Sequence, residues 1–243
     1  MQDPALSQDP VLILGATGAL GGAIARRLAP RMPVAVHGRC MDDRLLALAG
    51  EIGAQPAAAD LTDGDQVAAL FSAFPKLSAL VFAAGRTFPH KLAHRTGWDV
   101  FQQQMDSQLK AVHLCLSTAL PALRGRAGGA RVLVLSTEFV LGMPPVKIAP
   151  YLAAKAAMTA YAQVVAQEWL PYGVRVQILA PGMVPSALTA DMPQEYLDQV
   201  AAGMPEKRLT TADDVAGIAQ FLLTPAADPL YGTIIPASRA ARR

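Results

Sequence analysis

Cysteine is nearly missing from this 243-residue chain, which holds only Cys40 and Cys115. Two thiols cannot make a disulfide framework, and as free thiols they suit a reducing compartment. Charge is sparse too, at 16% Asp, Glu, Lys and Arg, and nearly balanced at a net +2. The Lys and Arg residues are scattered, so there is no electrostatic footprint for nucleic acid or an anionic membrane. Long apolar runs are absent: stretches such as Val11–Leu14 fall far short of the roughly 20 residues that cross a bilayer. Met1–Pro10 is polar and lacks a basic segment leading into an apolar one, so no secretory signal is read there. These absences predict a soluble cytoplasmic protein acting on a small-molecule or carrier-bound substrate. No metal site is expected, because His113 and Cys115, two residues apart, leave a helix on different faces.

What is plentiful is apolar sequence, 52% of the chain, enough for one sizeable core. It comes in short runs at Val11–Leu14, Val34–His37, Gln55–Ala59, Leu80–Ala83, Val132–Ser136, Val174–Leu179 and Thr233–Ile235, which read as strands. Helical patterns fall between them near 19–29, 42–50, 64–73, 97–120, 151–170 and 212–223. This alternation predicts an α/β fold: a Rossmann-type doubly wound parallel sheet of about seven strands with helices on both faces. One such domain is expected over 11–243, behind a tail at 1–10. Two stretches break the rhythm, Glu138–Pro150 and Pro185–Pro205, and both leave carboxyl ends of strands, where open α/β sheets bind ligands. The second, over 186–205, reads either as a lid placing Leu188, Met192, Tyr196, Leu197 and Met204 against an apolar pocket, or as an amphipathic helix packed on the core.

Directly after the first strand comes Gly15-Ala16-Thr17-Gly18-Ala19-Leu20-Gly21-Gly22, then a helical run from Ala23. Glycines there let the backbone approach a pyrophosphate, whose charge is favoured by free N–H groups at a helix start. A plain turn is the bland alternative, but strand and helix on either side favour dinucleotide binding. The second strand ends in His37-Gly38-Arg39, with no acid to bind a ribose 2′-hydroxyl. Arg39 offers a fork matched to a 2′-phosphate, so NADP(H) is expected over NAD, unless Arg39 is merely a solvated surface residue. Asp42 and Asp43 read as the start of the next helix.

Tyr151 and Lys155 stand four apart in a helical run and leave one face. A free phenol titrates near 10, too high for ready proton exchange at neutral pH, and an adjacent ammonium favours its ionised form. So tuned, it can serve as general acid to a carbonyl oxygen. Alone, this spacing is more often an exposed helix pair. Upstream, Leu135-Ser136-Thr137 ends the fifth strand and sets a hydroxyl at the sheet edge, able to bond a substrate oxygen or simply to cap the following loop.

The glycine loop, Tyr-x-x-x-Lys and Ser-Thr strand end together resemble the short-chain dehydrogenase/reductase family, over nearly the whole chain. Asp60-Leu61 looks like its adenine-contacting pair, and Ala84-Gly85, after Ala83, like the end of its Asn-Asn-Ala-Gly motif. Pro181-Gly182, Val184 and Ser186 match positions near the nicotinamide amide and the phosphates, and Arg208-Leu209 and Asp213-Asp214-Val215 match motifs before the last helix. The resemblance implies an NADPH-dependent oxidoreductase that reduces a ketone by hydride transfer, with Tyr151 as acid/base. Lys155 would tune Tyr151 and hold the nicotinamide ribose, while Thr137, or else Ser136, steadies the reacting oxygen. It also implies a homotetramer or homodimer built through helices near 97–120 and 151–170. The layout is similar to 3-oxoacyl-carrier-protein reductases, which suggests a β-ketoacyl substrate, although Pro171-Tyr172-Gly173 lacks their basic residue before the glycine and only the scattered Arg124, Arg126 and Arg131 could compensate.

The chain also departs from the pattern. Leu14 replaces a Thr, and Ala19 a Gly, with Gly18 restoring a Gly-x-x-Gly-x-x-Gly spacing. Phe82-Ala83 replace two asparagines, Gln108 replaces the relay Asn, and Thr137 replaces a Ser. The Thr137-to-Tyr151 segment is one residue longer than the common spacing, and the tail Ile235–Ser238 lacks an Asp-Gly-Gly ending. These changes support a second reading, a catalytically weak subunit that partners an active homologue.

Overall fold

The computed structural model describes residues 8–239. Of the expected tail, residues 1–7 lie outside the described residues, and Pro10 is already tied to the sheet by a bond from Ser78 N to its carbonyl (2.9 Å). Seven strands follow: β1 Val11–Leu14, β2 Val34–Gly38, β3 Gln55–Ala58, β4 Ala79–Phe82, β5 Ala130–Leu135, β6 Val174–Pro181 and β7 Ile234–Ala237. They form one sheet in the order β3-β2-β1-β4-β5-β6-β7, every pairing parallel. The fold class is therefore the doubly wound α/β sheet that the alternation predicts. After β3, at one edge, the chain crosses to β4 on the far side of β1. That reversal opens a crevice above the carboxyl ends of β1 and β4.

The strands read as near-continuous apolar runs because both faces are covered. On one face Leu12, Leu14, Leu80, Phe82, Val132, Val134 and Ile178 pack with residues of α3 (Gly64–Ser72), α5 (Ala111–Leu123) and α6 (Ala149–Glu168). On the other, Val11, Ile13, Val36, Val81, Leu133 and Leu179 pack with α1 (Ala19–Leu28), α2 (Asp43–Ile52) and α8 (Ala212–Leu222). Pro56 sits in β3 at no cost to the ladder's interior, since β3 is the edge strand. Helix starts follow local chemistry: Asp42 accepts from Leu45 N, Asp63 from Asp65 N and Gln66 N, and Thr211 with Asp214 closes a capping box.

Two helical segments differ from expectation. The long helix near 97–120 is α4 (Trp98–Met105), a π turn at Asp106–Lys110, then α5. Helical π turns mark inserted or functional positions, and this one holds buried Gln108. The Pro185–Pro205 stretch contains a helix, α7 (Gln194–Gly203), none of whose residues is buried. It is thus neither a core-packed helix nor a wall of five apolar side chains. Among the described residues no helix is long and apolar enough to cross a membrane.

Candidate functional site

The glycine loop joins the end of β1 to α1 in a cramped space. Gly15 adopts φ +80, and a Cβ there would stand 2.5 Å from Ala84 Cα; a Cβ on Gly21 would fall on the carbonyl oxygen of Gly15. Only glycine leaves the loop this close to the end of β4. Gly18 caps α1 without a side-chain bond, so no side chain competes for the first-turn N–H groups around Ala19 and Leu20. Arg44, from α2, donates to Thr17 O (3.0 Å). Arg39 is 61% exposed, its guanidinium 3.9 Å from the Asp60 carboxylate. Asp60 also accepts from Thr62 N (2.9 Å) and Thr62 Oγ1 (2.7 Å), and those bonds hold its carboxyl below the usual range. Leu61 turns into the core, and Ala83 N donates to Leu14 O (2.9 Å). Open helix-start amides, a close backbone and an exposed guanidinium fit a dinucleotide with a phosphate at its adenosine end.

Beyond the β1–β4 crevice, the first turn of α6 brings Tyr151 to Thr137. Burial pushes the Tyr151 phenol up to about 12, and a hydrogen bond with Thr137 offsets part of that rise. Lys155 is buried, its Nζ donates to Leu135 O (2.6 Å) and lies 6.0 Å from the Tyr151 ring centroid. Desolvation brings its ammonium down to about 7. The expectation of a tyrosine tuned downward by its lysine is therefore not met in the protein alone: burial raises the phenol, the offset comes from Thr137, and the Lys155 ammonium is bound to a backbone carbonyl instead. Ser136 bonds Thr159 Oγ1 (2.5 Å), which in turn donates to Lys155 O (2.7 Å). Of the two candidate hydroxyls, Thr137 is the one beside Tyr151. Gln108 is buried against Gly85, and its Oε1 has no protein partner.

A cleft opens over these groups. It brings together Leu20 of the glycine loop, Ser136, Thr137, Tyr151, Pro181, Gly182, Val184 and Ser186. Arg39, Asp60 and Leu61 lie away from it, and Lys155 and Gln108 do not line it. Of the five expected lid residues only Leu188 and Met192 line the cleft; Tyr196 is exposed on α7 and Met204 is buried elsewhere. The remaining walls are Phe88, His90, Phe139, Ile148, Met183 and Thr189. Phe88 stacks on Tyr151 (5.2 Å, 12°), and His90 reaches Leu188 O (3.3 Å), joining the loop after β4 to the segment after β6. Among the described residues, no Lys, Arg, Asp or Glu lines this space. Sequence reasoning missed Arg44, Phe88, His90 and Thr159. Thr159 had a legible signal, one helical repeat beyond Lys155; the direction of loop side chains such as Phe88 had none.

Residues 15–238 match the family model described as enoyl-(acyl carrier protein) reductase. The cis-4-hydroxycyclohexanecarboxylate dehydrogenase of Sinomonas cyclohexanicum is 31% identical over 95% of this chain and 95% of that protein. A 3-oxoacyl-[acyl-carrier-protein] reductase of Staphylococcus aureus (strain MW2) is 29% identical over 92% and 94%. Among solved structures, BdcA in complex with NADPH superimposes with a TM-score of 0.86 at 26% identity, covering 99% of this chain and 98% of that one. The 3-ketoacyl-(acyl-carrier-protein) reductase from Brucella melitensis complexed with NADH gives 0.87 at 26% identity, over 98% and 99%.

Proposed function

The chain belongs to the short-chain dehydrogenase/reductase family and is an NAD(P)-dependent oxidoreductase, and we propose that it uses NADP(H) to interconvert an uncharged, apolar ketone and its secondary alcohol. The observation that carries this reading is the meeting of the Tyr151 and Thr137 hydroxyls with the glycine-loop residue Leu20 in one cleft free of charged side chains. The amides at the start of α1 would hold the pyrophosphate, and Arg39, with Arg44 behind Thr17, would receive the 2′-phosphate. When bound there, the cofactor would supply the hydride for the carbonyl carbon.

The chain's own residues handle the oxygen. Tyr151 is protonated at neutral pH, as any phenol is, and that form donates a proton to a carbonyl oxygen; burial raises its pKa further and so opposes the transfer in the protein alone. Thr137 places a second hydroxyl beside that oxygen as negative charge develops. Lys155, near its titration point, gains its proton more readily as that charge grows, and its bond to Leu135 O holds it behind the tyrosine. Phe88, Phe139, Ile148 and Met183 exclude water and favour an apolar body on the substrate. The relatives' printed substrates, a ring alcohol and a carrier-bound oxoacyl group, are both compatible in reaction type. We extend the reading to a homo-oligomer joined through α4, α5 and α6, where Trp98 is 69% exposed and stacks on Phe101; a monomer by light scattering overturns that part.

The test is NADPH oxidation with cyclic ketones, linear ketones, a charged keto acid and a β-ketoacyl thioester. Wild type should reduce neutral ketones, and Tyr151→Phe should lose about 10²–10⁴-fold in kcat while binding NADPH unchanged. Cofactor binding without turnover of any substrate sinks the reductase reading.

A further inference from the structure

His37 is the one buried histidine among the described residues, and the proton chemistry above does not use it. It lies in β2, two residues before Arg39. Its Nδ1 accepts from Gly15 N (3.3 Å), and its Nε2 lies 3.0 Å from Ala59 O. A backbone N–H only donates and a carbonyl only accepts, so the ring must be neutral, with its hydrogen on Nε2 and a lone pair on Nδ1. Its own carbonyl accepts from Ala16 N (2.8 Å), and Gly38 O next to it accepts from Ala59 N (3.2 Å). One residue thus ties the first two peptides of the glycine loop to the end of β3, immediately before Asp60. The Gly15 peptide needs such a tie, because its positive φ and its fit against Ala84 leave one useful orientation.

We propose that His37 is the positioning residue of the adenosine half of the dinucleotide site, fixing the glycine loop against the Ala59–Asp60 turn so that loop amides and Arg39 meet one ligand. The inference rests on the glycine loop being a dinucleotide site, but not on the roles of Tyr151 or Thr137. Burial drives the imidazole down to about 4, so the required neutral form prevails at physiological pH. The charged groups beside it are Asp60, which favours the protonated ring, and Arg39, which faces Asp60.

Three substitutions separate the two side-chain bonds. His37→Asn sets a carbonyl oxygen near the place of Nδ1 and keeps an acceptor for Gly15. His37→Gln reaches Ala59 with its amide nitrogen and keeps that donor. His37→Leu keeps neither. Fluorescence titration of each full-length protein with NADPH and with NADH should show His37→Leu weakened about tenfold or more toward both cofactors, since a buried amide loses its partner. His37→Asn should stay within about threefold of wild type, and kcat at saturating NADPH should hold within about twofold in every variant, because binding and not proton transfer is affected. Wild-type affinity in His37→Leu, or equal losses in Asn and Leu variants, overturns the proposal. Should the Leu variant fail to fold, the Asn–Gln contrast and the ¹⁵N spectrum of wild-type His37 decide it: an imidazole protonated on Nδ1 overturns it. If wild type binds neither NADPH nor NADH, the glycine-loop reading itself has failed, which is a distinct result.

Discussion

At the glycine loop, His37 partners Gly15 and Ala59, Thr62 partners Asp60, and Gly15 meets Ala84 with no room for a methyl group. At Tyr151 the terms are reversed. Lys155 is buried with its ammonium brought down to about 7, and Tyr151 is pushed up to about 12. The first region obeys the rules of packing and polar satisfaction. The second breaks them at two neighbouring side chains, and such departures gather where chemistry is done rather than where a ligand is merely held. The cost at Tyr151 is stored in the protein alone.

If that is so, removing the stored cost should stabilise the protein while ending its chemistry. Lys155→Met is expected to lower kcat on the order of a thousandfold and to raise the Tm of the cofactor-free protein near pH 7, the most strongly opposed pair of effects predicted. The pH dependence follows with its sign. The folded protein releases the Lys155 proton at about 7 and the unfolded chain at the ordinary 10.5, so between these values the unfolded chain binds more protons and stability rises with pH. The full span is on the order of 5 kcal/mol. The rise is clearest from pH 7 to 9, because above that Cys115 and Tyr151, which burial holds protonated up to about 12, act in the opposite direction. Differential scanning calorimetry of wild type and variant checks it: a wild-type Tm that does not climb over this window, or a variant with the same slope, refutes the stored cost.

The glycine loop should fail in the opposite manner, by losing its ligand rather than its chemistry. Gly21→Ala drives a methyl group onto the Gly15 carbonyl and displaces the loop. A shift of this kind costs on the order of a hundredfold in NADPH affinity, measured by titration. Unchanged affinity would show that the loop is not the cofactor's seat.

The same contrast decides what the sequence made legible. The inner strands were readable because both sheet faces are buried there, so each is a short apolar run, and β1 was assigned to the residue. The glycine loop was readable because its constraint is steric and only one residue type meets it. Tyr151 and Lys155 were placed by their spacing, but their environment was not, since the direction of a pKa shift depends on how deeply α6 buries its first turns. The π turn was hidden because it has no apolar periodicity of its own, and α7 was legible as an amphipathic helix but not in its packing, since it buries no residue. His37 read as the end of a strand because nothing local reveals that its ring spans Gly15 and Ala59.

A smaller effect distinguishes phosphate recognition from loop geometry. Arg39→Asp should weaken NADPH roughly tenfold relative to NADH, since it exchanges a charge-assisted contact for repulsion, whereas Gly21→Ala should weaken both alike. Equal losses of the two cofactors in Arg39→Asp would remove Arg39 from this role and leave Arg44 as the remaining guanidinium bonded to the loop.

The smallest expected effect lies at the open wall of the cleft. Phe88 stacks nearly parallel to Tyr151 and tilts against His90, whose ring is bonded to Leu188 O, so one aromatic ring links Tyr151 to the segment after β6. An aromatic pair of this kind contributes roughly 0.5–1.5 kcal/mol beyond burial, so Phe88→Ala should raise KM for an apolar ketone about fivefold. NADPH affinity should not move, because Phe88 lies beyond the nucleotide loop. Tyr151 also loses part of the apolar cover that keeps its phenol protonated, so the upper limb of the kcat pH profile should shift to lower pH. A KM change with no such shift would mean that Phe88 shapes the substrate pocket alone, and that the cost stored at Tyr151 arises from α6 and the sheet rather than from the loop above it.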